Sequence, residues 1–304
     1  MALPVLNQPQ FQDEDAAHEY LEKIRWPHGV TCPKCGVENV KVYRLNVKRA
    51  KSTRKVLKCG ECRRQFTIKT GTIFEDSKIP LTVWLQAAYL MCASKKGFSA
   101  HQLHRYLGVT YKTAWFMAHR LREAMADSEF VKLGGAGKVV EADETFWGNN
   151  KKPGQPGRGY QHKMKVFSLV ERDGNVRSFH VERVNAKTLR PILREQVEQA
   201  THVMTDDAGQ YTRLSEDFDQ HSVVKHSTGE YARGPVYTNT IESFFAVMKR
   251  GLHGTYHHIG EQHLKRYCGE FDFRYNNRKV SDLERTVNAL SGIEGKRLTY
   301  KTVG

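Results

Sequence analysis

The run "KVVEADETFWG" (residues 138–148) places three acids, Glu141, Asp143 and Glu144, in a β-prone stretch of a strongly basic chain. Residues alternate faces along a strand, so Glu141, Asp143 and Thr145 share one side and Val140, Ala142 and Glu144 the other. One acid there could decorate an edge. The informative question is which other carboxylates can meet it. The short strand "THVMT" ends at Asp206 and Asp207, and the ends of strands in α/β sheets are where ligands gather. In "YTNTIESFFAVMKRGLHGTYHH", Glu242 lies beside the apolar stripe Ile241, Phe244, Phe245 and Met248 of a predicted helix. It stands one turn after Asn239, and Lys249 follows two turns further along the same side. Asp143, Asp206 and Glu242 are the candidate catalytic set. Converging like charges need a cation among them. Mg²⁺ takes hard oxygen ligands and keeps waters and phosphate oxygens in its shell, and Mn²⁺ is the substitute. Two such ions roughly 3.5–4 Å apart activate a water or a 3′-hydroxyl and stabilise the leaving oxygen, which is the chemistry of cutting and joining phosphodiesters.

A second set of residues points to a different metal. "CPKCG" and "CGEC" supply Cys32, Cys35, Cys59 and Cys62, two C-x2-C pairs each beside a glycine that permits a tight turn. Four thiolates surround one tetrahedral Zn²⁺ and leave no open position, so this zinc is structural. A redox C-x-x-C would need only one pair. Cys92 and Cys268 have no partner at metal spacing and are read as small buried hydrophobes.

The surrounding charge is positive. The formal net charge is +15 and the sequence pI about 9.5, which points to a polyanionic partner, nucleic acid first. Twelve Lys and Arg against two Glu fall between residues 31 and 70. Within them "KRAKSTRK" (48–55) offers Lys48, Arg49, Lys51, Arg54 and Lys55 for phosphate contact on a hairpin. "FSAHQLHRYLGVTYKTAWFMAHRLREAM" (98–125) reads as helix-turn-helix. Ser99 and Gln102 form a capping box, Gly108 suits the turn, and Thr110 caps the second helix. Leu103, Leu107, Val109, Ala114, Met117, Ala118 and Leu121 face inward. Tyr111, Lys112, Thr113 and Arg120 are left for contact with double-stranded DNA. At 39% hydrophobic the chain can bury a core. The apolar run "LTVWLQAAYLMCA" is too short to cross a bilayer, and the start has no signal-peptide pattern. The expected location is the cytoplasm, on the nucleoid.

These residues are expected on three modules. Residues 1–78 hold an amphipathic helix over 11–25 (buried positions Phe11, Ala16, Tyr20, Leu21 and Ile24) and the zinc ribbon. Residues 79–132 hold the helix-turn-helix. Residues 133–304 alternate strands and helices and end in a mostly helical third, an α/β domain of mixed sheet. Flanking Asp143, Glu144 is read as a surface or salt-bridge group and Glu141 as a possible support for the site. His253, His257, His258 and His263 are read as packing and phosphate contacts rather than ligands, and Trp115 and Trp147 as core.

The strand "EADETFWG", the turn "MTDDAGQY" and the tail "NTIESFFAVMKRGLHGTYHHI…HLKRYCGEFDFRYNNR" resemble the bacterial insertion-sequence transposases. More narrowly, the chain resembles the DDE group with an N-terminal zinc ribbon. The resemblance implies an RNase H-like catalytic domain, Mg²⁺-dependent strand cleavage and transfer, and binding to the element's inverted repeats. It also implies a homodimer or larger assembly on DNA. By position it gives Asp143, Asp206 and Glu242 as the triad, with Lys249 and its neighbour Arg250 at the DNA. Asp206 is preferred to Asp207 because it closes the strand. Glu242 is preferred to Asn239 because a carboxylate offsets metal charge and an amide does not. The alternatives are a zinc-ribbon regulator with an inactive nuclease-like domain, and a structure-selective nuclease.

Overall fold

Asp13 splits the first predicted helix in two. Its side chain accepts from the Ala16 N–H at 2.8 Å, so a short α1 (Pro9–Gln12) ends there and α2 (Glu14–Arg25) starts afresh. An N-cap acid stabilises the new helix start, and the cost is the continuity of the old one. Phe11, Ala17 and Leu21 form the buried stripe, so Ala17 takes the place expected for Ala16. The computed structural model describes residues 4–49, 52–126, 131–148, 162–230 and 232–299, with the side chains of 46–49 and 52–54 outside that description.

Two units separate: Met1–Ala126 with Val280–Gly304, and Asp127–Lys279. In the first, β1 (Val42–Arg49) and β2 (Ser52–Cys59) make an antiparallel hairpin, and β3 (Gln65–Phe66) adds to β2. Three helices follow: α3 (Leu81–Ala93), α4 (Ala100–Leu107) and α5 (Tyr111–Met125). The Glu14 carboxylate accepts from the Leu81 and Thr82 N–H groups at 2.8 and 3.1 Å and so caps α3. The Ser99–Gln102 capping box forms, Gly108 adopts φ +63° in the turn, and Thr110 caps α5. Leu103, Ala114, Met117, Ala118 and Leu121 are buried between these helices, while Leu107 and Val109 are only half-buried.

The second unit is built on one sheet. In chain order it has β4 (Val139–Trp147), β5 (Met164–Glu171), β6 (Val176–Val181), α6 (Ala186–Gln196), β7 (His202–Asp206) and β8 (Gln220–Val224). The spatial order is β6-β5-β4-β7-β8. The pairs β6–β5 and β5–β4 are antiparallel; β4–β7 and β7–β8 are parallel. A parallel pair needs a crossover, and α6 supplies the one between β6 and β7. A two-stranded hairpin, β9 (Ala232–Arg233) with β10 (Val236–Tyr237), leads into α7 (Asn239–Gly251), then α8 (Leu264–Asn276). Each sheet face has its own core. Val140, Ala142, Phe167 and Leu169 pack with Leu189 and Leu193 of α6. Trp147, Met164, Val166 and Val170 pack with Ile241, Phe244, Phe245 and Met248 of α7. The α6 face is tied down by Asp217, whose carboxylate accepts from Arg190 and Arg194 and is held down at about 2, chiefly by the Arg190 bond.

The last helix, α9 (Asp282–Ser291), does not join this unit. Ala289, Leu290 and Ile293 are buried, and the Ile73 N–H donates to the Ile293 carbonyl at 3.1 Å. The buried Arg25 guanidinium pairs with Glu294 at 2.5 Å. Residues from 280 onward, expected in the α/β domain, therefore complete the first unit. The apolar positions of α9 announce a buried face, and sequence alone does not say against what.

Candidate active site

Register brings two of the three acids together. Val139, Val140 and Glu141 of β4 pair with His202, Val203 and Met204 of β7. Two residues further on, Asp143 stands level with Asp206, on neighbouring parallel strands about 4.8 Å apart. Asp143 shares its side of β4 with Trp147, which packs under α7, and so looks toward that helix. Glu242 lies in the first turn of α7. Asp143 is pushed up to about 8, first by burial and then by the charges of Glu144, Asp206 and Glu242. Asp206 is raised by burial and by Asp207. Among the described residues Asp143 accepts from the Glu144 N–H at 2.7 Å, and Asp206 from the Ala208 N–H at 3.1 Å. Among the described residues neither has a Lys or Arg partner within 4.0 Å.

Glu242 is the exposed member of the set, its side chain 47% accessible. Its Oε1 lies 3.4 Å from His226 Nε2 and accepts from Thr238 Oγ1 at 3.3 Å. Asn239 is exposed one turn earlier on α7. Asp207 points elsewhere: Ser227 donates to its carboxylate and holds its pKa down. Lys249 and Arg250 are exposed two turns beyond Glu242.

One residue of this site escapes the sequence reading, and two others take roles that reading leaves open. His226 follows β8, pairs with Glu242 and acts electrostatically on both Asp206 and Asp207. No spacing rule connects it to either acid. Glu144 is not a surface group. It turns to the α6 face, where Gln210 and the buried Tyr211 hydroxyl donate to it. Glu141 is fully buried and ion-paired with Arg172 at 2.6 Å.

The raised Asp143 has a consequence for stability. An unfolded aspartate loses its proton near 3.9, whereas folded Asp143 keeps it to about 8. Between these values folding takes up a proton, so this group's contribution is full at low pH and is lost as pH rises through 8. In buffer without divalent cations, Asp143→Asn is expected to stabilise the protein at pH 7.5 by up to about 5 kcal/mol, each tenfold change in proton affinity being worth about 1.4 kcal/mol. Thermal midpoints of the two proteins at a series of pH values check this, and the gap should close toward pH 4.

In the first unit the four cysteines meet. Their sulfurs lie within 4.8 Å of one another, with Cys32–Cys62 at 3.8 Å and Cys35–Cys59 at 3.9 Å. A tetrahedron with Zn–S of about 2.3 Å has edges of about 3.8 Å, so the four thiolates fit one structural Zn²⁺. Cys92 and Cys268 are buried apart from them. Among the described residues no other set of three His, Cys, Asp or Glu ligand atoms reaches that closeness, Asp143, Asp206 and Glu242 included, and His253 packs its ring on Trp147.

The expected DNA contacts divide. The side chains of Lys48, Arg49, Lys51 and Arg54 lie outside the described residues. Lys55 pairs with Asp15 at 2.7 Å. Tyr111 is exposed and stacked on His101, Lys112 is exposed beside it, and the Thr113 hydroxyl bonds Thr110. Arg120 is a correction. It is buried, its guanidinium lies over Phe116, and Nη1 donates to the carbonyls of Ile73 and Glu75 at 2.7 and 2.9 Å. Burial, rather than a lack of donors, keeps this side chain from a phosphate.

Residues 132–276 match the family described as the ISXO2-like transposase domain, and residues 12–65 match the transposase zinc-ribbon domain. A protein from Halobacterium salinarum, titled "Uncharacterized protein in transposable element ISH50", is 30% identical over 286 residues, covering 87% of this chain and 91% of that one. An "Uncharacterized transposase-like protein" from Haemophilus influenzae is 31% identical over 118 residues, 39% of this chain and 86% of its own. No described helix is long and apolar enough to cross a membrane. With both domains matched and one relative aligned over nearly its whole length, the chain belongs to the insertion-sequence transposases that carry an N-terminal zinc ribbon.

Proposed function

We propose that this transposase binds the terminal inverted repeats of its own insertion sequence and catalyses Mg²⁺-dependent DNA strand cleavage and strand transfer there. The observation that carries the reading is the register that sets Asp143 level with Asp206 on neighbouring parallel strands, on the sheet face covered by the helix that carries Glu242. A sheet of three antiparallel strands continued by two parallel ones, with helices on both faces, supports an RNase H-like domain for this unit.

The residues fit a hard cation. All three donors are carboxylate oxygens, two of them half-buried without a described basic partner. Asp143, Asp206 and Glu242 would hold Mg²⁺, with Mn²⁺ as the substitute. When bound, such ions lower the pKa of a water or 3′-hydroxyl and stabilise the leaving oxygen. The chain's own residues do the rest. Lys249 and Arg250 stand on α7 where a DNA backbone would run past Glu242. The Glu144 carboxylate, held by Tyr211 and Gln210, fixes the strand that carries Asp143. The ribbon hairpin and the start of α5 supply phosphate and base contacts to double-stranded DNA. Work on two ends at once calls for at least two copies of the chain.

The test uses labelled duplexes made from the DNA that flanks the gene, with Mg²⁺ and a target plasmid. Cutting at one defined position, followed by joining of the new 3′-hydroxyl to the plasmid, is the expected result. Binding without cutting would favour a regulator, and cutting without joining a nuclease.

The Arg120 correction adds a prediction. Arg120→Ala should cost roughly 1–3 kcal/mol of stability through the carbonyls it leaves unpaired. It should leave the salt dependence of DNA binding unchanged, whereas Lys112→Ala should lower the slope of log K against log salt by about one. Binding isotherms at several salt concentrations separate the two.

A further inference from the structure

Helix α7 begins without a cap of its own. The Thr238 side chain at its N-cap makes no capping bond. The missing acceptor comes from a residue one hundred positions earlier. Glu141 Oε2 accepts from the Ile241 N–H at 3.0 Å, and Oε1 accepts from Thr240 Oγ1 at 2.9 Å. A carboxylate at this end also suits the helix dipole. Glu141 has no exposed surface, and a buried charge needs a partner. Arg172 provides it through Nε at 2.6 Å. The same guanidinium donates to the carbonyls of Pro235 at 2.8 Å and Tyr237 at 2.7 Å, and lies 3.6 Å over the Tyr237 ring. These residues are the last ones before the chain enters α7. One ion pair thus fixes both the approach to the helix and its first turn.

The placement is specific. The N–H held by Glu141 belongs to the residue immediately before Glu242. Glu141 itself stands two residues before Asp143 on the same face of β4. The pair therefore sets the distance between two of the three acids. We propose that Glu141 and Arg172 are positioning residues for the metal site, acting through the docking of α7 rather than by touching metal or DNA. The inference rests on the reading of Asp143, Asp206 and Glu242 as metal ligands.

The test is Mn²⁺ binding by the zinc-loaded full chain, followed by electron paramagnetic resonance, with thermal midpoints measured in parallel. Glu141→Gln keeps the shape and loses the charge. It should weaken Mn²⁺ binding by about 10–100-fold, the range for groups that orient metal ligands. Arg172→Lys keeps the charge but cannot reach Glu141, Pro235 and Tyr237 together, and should reproduce much of that loss. Asp217→Asn is the control. It breaks the Arg190 and Arg194 bonds on the opposite sheet face, so it should lower the midpoint and leave Mn²⁺ affinity within about twofold. Wild-type affinity in Glu141→Gln would overturn the inference, as would an equal loss in Asp217→Asn. A wild-type protein that bound no Mn²⁺ would instead bring down the ligand reading, and the inference with it.

Discussion

Asp143→Asn should reduce Mg²⁺-dependent strand cleavage by at least about 10³-fold, because residues acting as one unit lose most of their effect when any member goes. DNA binding should stay within about twofold, since on the proposed reading the substituted group would hold cations and not phosphates. The usual objection to such a result is that the variant has misfolded. Here the structure supplies the answer, because the same substitution should raise stability without divalent cations. Asp143 is held at about 8 by burial and by three neighbouring carboxylates, so its ionised form is a liability to the fold. Lost cleavage together with a raised thermal midpoint would mark a group kept for function at the expense of stability. Lost cleavage with a lowered midpoint would mean that Asp143 supports the sheet. Cleavage rates and midpoints from one preparation decide between them.

The second large effect concerns the ribbon. Cys59→Ser should release the zinc and unfold the β1–β2–β3 ribbon, since a structural zinc is worth about 10–16 kcal/mol to a small domain. The hairpin carrying residues 48–55 would then lose its anchor. Affinity for the element's ends should fall by at least about 10²-fold at physiological salt, as several phosphate contacts disappear together. The second unit should keep its own cooperative unfolding transition, because its core contains no residue of the ribbon. Zinc release measured with a colorimetric chelator, gel-shift titration and calorimetry check the three parts. Full binding by a zinc-free protein would remove the ribbon from the DNA interface.

Much of this molecule was legible in its sequence, for identifiable reasons. Metal knuckles, a capping box and turn glycines are local signals, and the four cysteines, Ser99–Gln102 and Gly108 behave as their spacing predicts. Strand alternation put Asp143 on one face and Glu144 on the other, and the two cores keep that division. Failures came where a side chain's role depends on something distant. Arg120 sits on a helix in a basic chain, and only the fold shows the carbonyls of Ile73 and Glu75 waiting for it. Glu141 resembles any acid near an active site until α7 arrives above it. His226 reaches Glu242 because β8 ends beside β7, a matter of sheet order that no periodicity records. Asp13 was a local signal that was missed, an N-cap residue inside an otherwise helical pattern.

The most direct measurement takes a supercoiled plasmid carrying this gene with its native flanks, incubated with purified protein and Mg²⁺. An Asp206→Asn sample runs beside it, and new 3′ ends are mapped at nucleotide resolution. Breaks at defined positions flanking the gene, absent with Asp206→Asn and absent without Mg²⁺, are the predicted result. Equal breaks with Asp206→Asn would contradict the account, because the strand cleavage would then not depend on the proposed carboxylate site.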